Sequence, residues 1–148
     1  MPFFFSLDAV LHLRQSLEHQ QELRLRSANQ QVARVRHLLE QMDLHRRQIH
    51  SMQSRELSAG VTSAELRFGL LCEAELLRHR HELEHELARL QQFHDQQREI
   101  LQLARRTRET LEIVRDQQRM TYRKEIARRT QRNLDDLFLL RRDYLRRS

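Results

Sequence analysis

Hydrophobic residues recur along this chain at alternating steps of three and four. In one run they fall at Leu25, Ala28, Val32, Val35, Leu39 and Met42, break at Arg46, and resume at Ile49. A second run sets Leu76, Leu83, Leu87 and Leu90 on one stripe. Such spacing averages 3.5 residues, which keeps the apolar side chains on one slowly winding face of an α-helix, the seam of a left-handed coiled coil. Ahead of Leu25 the stripe is poorer, with Leu7 and Leu11 followed by Arg14, Glu18 and Gln21.

Between the two runs lies Ser58-Ala59-Gly60-Val61-Thr62-Ser63-Ala64-Glu65-Leu66. Gly60 suits the left-handed residue that ends a helix. Thr62 can cap the next helix, Glu65 three residues on completes a capping box, and Val61 and Leu66 take the hydrophobic-staple positions. A stop followed at once by a start predicts a hairpin rather than a kink in one long helix. With the turn near Gly60–Val61, Val32 faces Leu90, Val35 faces Leu87 and Leu39 faces Leu83; further out, Gln21 faces Leu101 and Leu11 faces Leu111. The capping signals that set the turn are independent of these coincidences, which therefore favour pairing within one chain over a parallel dimer.

At the other end, Ser6 is the expected N-cap of the first helix, with Asp8 favoured in its first turn and Phe5 and Val10 at the staple positions. The expectation is an all-α fold: a long antiparallel two-helix coiled-coil hairpin forming a single domain over 1–148. Helix one covers about 7–57, the turn 58–62, and helix two about 63–145, since no Gly or Pro follows Gly69. On this register helix one runs out opposite about Arg115. Roughly 30 residues then remain as a C-terminal helical overhang, on the order of 45 Å long. It carries Met120, Ile126, Leu134, Leu137, Phe138, Leu140 and Leu145 among many arginines, and a lone helix with exposed apolar residues wants a partner in water.

Composition agrees with long helices. Of 148 residues, 32% are charged and only 5% aromatic, with two Gly and one Pro, so the punctuation that strands and loops need is nearly missing. A compact catalytic pocket is not expected. The single cysteine, Cys72, excludes an internal disulfide and reads as a small packing residue. No apolar run reaches transmembrane length. The opening Met1-Pro2-Phe3-Phe4-Phe5 is too short for a signal peptide and lacks a basic n-region, so a soluble cytoplasmic protein is expected. Net charge is +6 and uneven: residues 1–97 hold 12 basic and 13 acidic side chains, residues 98–148 hold 15 and 8. A basic C-terminal part suggests an acidic partner surface.

Candidate chemistry is sparse. His81-Glu82-Leu83-Glu84-His85 matches the H-E-x-x-H pattern of zinc proteases. Yet Leu83 is on the seam, each histidine lies about 200° from it, and a two-helix rod offers neither a third ligand nor a cleft. The remaining histidines read as solvated, and Asp135-Asp136 beside arginines as salt-bridging or partner-binding. No Gly-rich phosphate loop, nucleophile elbow or CxxC occurs. No enzyme, cofactor, metal or small-molecule substrate is expected. Nucleic acid is a poor match, because acids interrupt the basic run and Tyr122, Phe138 and Tyr144 are few. Binding to a membrane surface by the same helix is a further alternative.

The two ends carry a resemblance. The segment from Phe5 through Leu7, Asp8, Val10, Leu11 and Leu13 to Arg14 looks like the start of the flagellar export protein FliJ family. The segment Arg128-Arg129-Thr130-Gln131-Arg132-Asn133-Leu134-Asp135-Asp136-Leu137-Phe138-Leu139-Leu140-Arg141-Arg142 resembles that family's C-terminal pattern. The YscO-like stalk proteins of virulence secretion share this architecture, and a generic coiled-coil adaptor is a further alternative. The resemblance implies a non-enzymatic stalk, similar to the central stalk of rotary ATPases, that sits in the pore of the hexameric export ATPase and promotes ring assembly and hydrolysis. It also implies contacts with the export gate protein FlhA and with export chaperones, at the inner-membrane export apparatus. Carried over, ATPase binding falls on Leu7, Val10, Leu11 and Arg14 with Arg128, Arg132, Leu134, Asp135, Phe138 and Arg141. Gate binding falls on Met42, His45 and Ile49 with Leu76, His79 and Leu83. This chain lacks the aromatics that the family places on the first of those helices, and Ile49 and Leu83 also sit on the predicted seam.

Overall fold

The computed structural model describes residues 3–147; Met1, Pro2 and Ser148 lie outside them, and with them the first two residues of the segment weighed as a signal peptide. Two α-helices make up the described chain: α1, Asp8–Ala59, and α2, Ser63–Arg147. They pack on one another as a helical hairpin, with no strand among the described residues.

The turn forms as its sequence dictates. Gly60 has φ 93°, the left-handed region that a side chain disfavours. The Thr62 backbone N–H donates to Glu65 Oε2 at 2.9 Å, and the Glu65 N–H reaches Thr62 Oγ1 at 3.4 Å, the reciprocal bonds of a capping box. The first bond of α2 runs from Leu66 N to Thr62 O, 3.1 Å. The turn is shorter than expected, because α1 persists to Ala59.

The start of α1 differs from expectation. Its first helical bond runs from Leu11 N to Leu7 O, so Leu7 and not Ser6 occupies the capping position. The cause is Phe5. Only 5% exposed, it turns into the core, and its carbonyl accepts the Asp8 N–H at 3.1 Å, which delays the helix by a residue. Val10, expected in a staple with Phe5, remains exposed.

The hairpin divides into two compact units. One combines the chain up to Glu18 with the chain from Leu103 onward; the other is His19–Gln102. In the His19–Gln102 unit, Ala28, Val32 and Val35 are buried, and Leu39, Met42, Ile49, Leu76, Leu83, Leu87 and Leu90 are half-buried. The break at Arg46 is an ionic layer: Glu73 lies 3.6 Å from Arg46 Nη2 and 3.2 Å from His50 Nε2. Arg80, another half-buried seam residue, pairs with Asp43 at 3.4 Å, one residue from the Met42 that the predicted register sets opposite it. Gly69 also faces this seam, where a Cβ would come within 2.8 Å of Gln53 Nε2.

In the other unit, Phe5 and Leu11 are buried, and Ala104, Leu111, Val114 and Tyr122 are half-buried. Glu18 is buried too; it accepts from Arg108 Nε and lies 3.4 Å from Arg105 Nε. Glu112 holds the same Arg108 from the other side, accepting from Nη1 at 2.6 Å. Both carboxylates raise the Arg108 pKa, Glu18 most, so the guanidinium keeps its charge at any working pH. α1 begins at Asp8, in keeping with its expected end opposite about Arg115. Ahead of it Phe3 packs at a tilt against Tyr122, ring centroids 5.7 Å apart, so the segment before α1 extends the cover of α2 about two turns further. From Arg123 to Arg146 every side chain is exposed.

Candidate partner-binding surfaces

The first surface belongs to the unit that holds Phe5 and Leu11. Its seam on α2 runs through Ala104, Arg108, Leu111, Arg115 and Tyr122, all half-buried. Continued at heptad spacing, the seam would fall on Glu125, Arg129, Arg132, Asp136, Leu139 and Asp143. All but Leu139 are charged. The apolar residues sit elsewhere: Leu134, Phe138 and Leu145 each lie two residues past a seam position, about 200° round the helix. Beyond Tyr122 the helix therefore changes its apolar face. The new stripe is open to solvent, with Leu134 56% and Phe138 69% exposed.

Around that stripe, Arg128, Arg132 and Arg141 are exposed, and the Asp135 carboxylate accepts from Gln131 Nε2 at 2.8 Å. The four α1 residues named with them divide. Leu7, Val10 and Arg14 are exposed; Leu11 is 1% exposed and packs inside the hairpin, so it offers no surface. The periodicity missed the aromatic arm. Phe3, Phe4, Tyr122 and Glu125 border an open groove of about 640 Å³, and the only signal for it was three phenylalanines ahead of the first cap.

The second surface belongs to the His19–Gln102 unit. Of the six residues named for it, Met42, Ile49, Leu76 and Leu83 are half-buried in the seam, and only His45 and His79 are exposed. Seam packing thus accounts for four of them. Larger apolar side chains stand free on the same unit nearer the turn, including Leu66, Phe68, Leu70 and Leu71.

Among the described residues no group of three or more His, Cys, Asp or Glu is placed to hold a metal ion. Cys72 is a half-buried free thiol. Among the described residues no helix is long and apolar enough to cross a membrane. The clearest perturbed carboxyl is Glu65, held below the usual range by the Thr62 backbone N–H and then by the Thr62 hydroxyl, which is capping and not catalysis.

Comparison with known proteins gives one result. The family described as "Flagellar FliJ protein" matches residues 3–147. Searches of curated proteins and of solved structures gave no match. With the match spanning nearly all of a helical hairpin, the chain belongs to the FliJ family, and its role lies in flagellar protein export.

Proposed function

We propose that this chain is a non-enzymatic stalk whose exposed C-terminal helical stretch, from Arg123, enters the ring of the hexameric flagellar export ATPase and promotes its assembly and hydrolysis. The observation that carries this reading is the change of apolar face after Tyr122: some 25 residues of α2 lack a helical neighbour and present Leu134, Leu137, Phe138 and Leu145 to solvent among arginines. A helix pairing only with itself has no use for such a stripe. Leu7, Val10 and Arg14 would add to the same contact, while Leu11 keeps the hairpin closed behind it.

The stalk brings no reacting group, so its effect on hydrolysis must come from binding one state of the ring better than another. The basic excess of residues 98–148 would steer it toward an acidic wall and make association salt-sensitive. Contact with the export gate protein FlhA would use the unit that holds His45 and His79, in keeping with a location at the inner-membrane export apparatus. Export chaperones are further proposed partners.

The test is ATP hydrolysis by the export ATPase of the same genome, with and without this chain, with ring size followed by light scattering. Stimulation with hexamer formation is expected, together with its loss in Leu134→Asp/Phe138→Asp at unchanged helicity and melting. Ring binding by that double variant equal to the parent's would reject this surface.

A further inference from the structure

We propose that His81 and His85 form a two-ligand half-site for a divalent transition-metal ion. They are the only two of the nine histidines spaced four apart in the sequence, so one face of α2 carries both. The rings already converge. Nε2 lies 3.1 Å from Nε2, with ring centroids 4.5 Å apart and the rings edge to face. Imidazole nitrogens bind Zn²⁺ at about 2.0–2.1 Å, so two of them 3.1 Å apart subtend about 98° at the ion. That angle lies between the octahedral and tetrahedral values, so the separation of the two nitrogens suits one ion once the exposed rings turn to aim both lone pairs at it.

The surroundings favour the ligating form. Two nitrogens this close cannot both carry a proton toward each other, so at least one ring presents a lone pair to the other. His81 Nδ1 has the Glu84 carboxylate 3.8 Å away, on the side of the ring opposite the proposed ion. Neighbouring His79 is turned to Glu82 instead, 3.6 Å away. Both ligands are exposed, which leaves the remaining coordination positions to water. Imidazole suits Zn²⁺, Ni²⁺ and Cu²⁺; Mg²⁺ and Ca²⁺ prefer oxygen. With two protein ligands the site is an open chelate, distinct from the three-ligand centre that the H-E-x-x-H pattern serves in proteases.

Calorimetric titration of the full chain with ZnCl₂ and with NiCl₂ at pH 7.5 tests the site. Binding of one ion per chain is expected, weakened at least tenfold by His81→Ala and equally by His85→Ala, since a chelate needs both rings. His79→Ala should leave affinity unchanged, and MgCl₂ should give no heat of binding. All of these positions are exposed, so circular dichroism of the variants should match the parent. No binding at pH 7.5, binding that survives in the His81→Ala/His85→Ala variant, or an equal loss in His79→Ala would each overturn the proposal.

Discussion

Thr62 and Glu65 hold one another through a backbone N–H and a hydroxyl, and those two bonds keep the Glu65 carboxyl below its usual pKa. A carboxyl whose pKa is lowered by folding stabilises the fold above its unfolded pKa, and that stabilisation fades as pH falls through the folded value. In Thr62→Ala, a pH titration followed by NMR should move the Glu65 midpoint only part of the way toward the ordinary carboxylate range, because the backbone N–H of residue 62, the larger cause of its lowering, remains. Stability at neutral pH should fall by about 1 kcal/mol, the usual effect of losing a cap. In acid, with Glu65 protonated in both proteins, the difference should narrow. This turn was legible in the sequence because its bonds span three residues and depend on nothing distant. Ser6 was not, although its chemistry is as suitable. Phe5 beside it gains more by entering the core than Ser6 gains by capping, and such competition is invisible in a local motif.

At the scale of the two helices, heptad spacing located the seam and its register. Val32, Val35 and Ala28 are buried where the pattern set them, and Arg80 meets Asp43 one residue from the predicted pairing. The polar seam positions were harder to read. Glu18 looked like a weak place in the stripe; it is buried beneath Arg105 and Arg108, a layer whose partners sit about 90 residues away in sequence. Arg46 similarly finds Glu73. Layers of this kind add little stability when partly exposed, but a slip in register would leave their charges unmatched. The aromatic arm lay outside any helical period, so periodicity ended the cover too early. Phe5→Ala should cost about 3–5 kcal/mol by removing a buried ring. Hydrogen exchange is the measurement: amides of residues 104–122 should lose protection, while those of residues 28–39 keep theirs.

For the whole chain, helix content and the hairpin were legible, because strong helix formers dominate and there are only two Gly and one Pro. The proposed partner surfaces were legible only as hydrophobic positions. Leu134 and Phe138 are exposed, whereas Leu11, Ile49 and Leu83 carry the same hydrophobic signal and are taken up by packing. A hydrophobic residue announces burial and not what buries it. The uncovered part of α2 should therefore be the weakest in the isolated protein. Limited trypsin digestion followed by mass spectrometry should cut first at Arg128, Arg129, Arg132 and Arg141, ahead of Arg34 and Arg36 beside the buried valines. Added export ATPase should slow those early cuts.

The change of apolar face after Tyr122 has an evolutionary consequence. On most helices one stripe must satisfy both folding and recognition, so each adaptation to a partner is taxed in stability. In the proposed stalk the two demands fall on opposite sides and on successive stretches of α2. Substitutions at Leu134, Leu137, Phe138 or Leu145 would then follow a drifting partner without disturbing the seam, and the seam could be repaired without altering recognition. Within this family, chimeras that exchange the stretch beyond Tyr122 should exchange partner preference while keeping the parent hairpin's melting temperature.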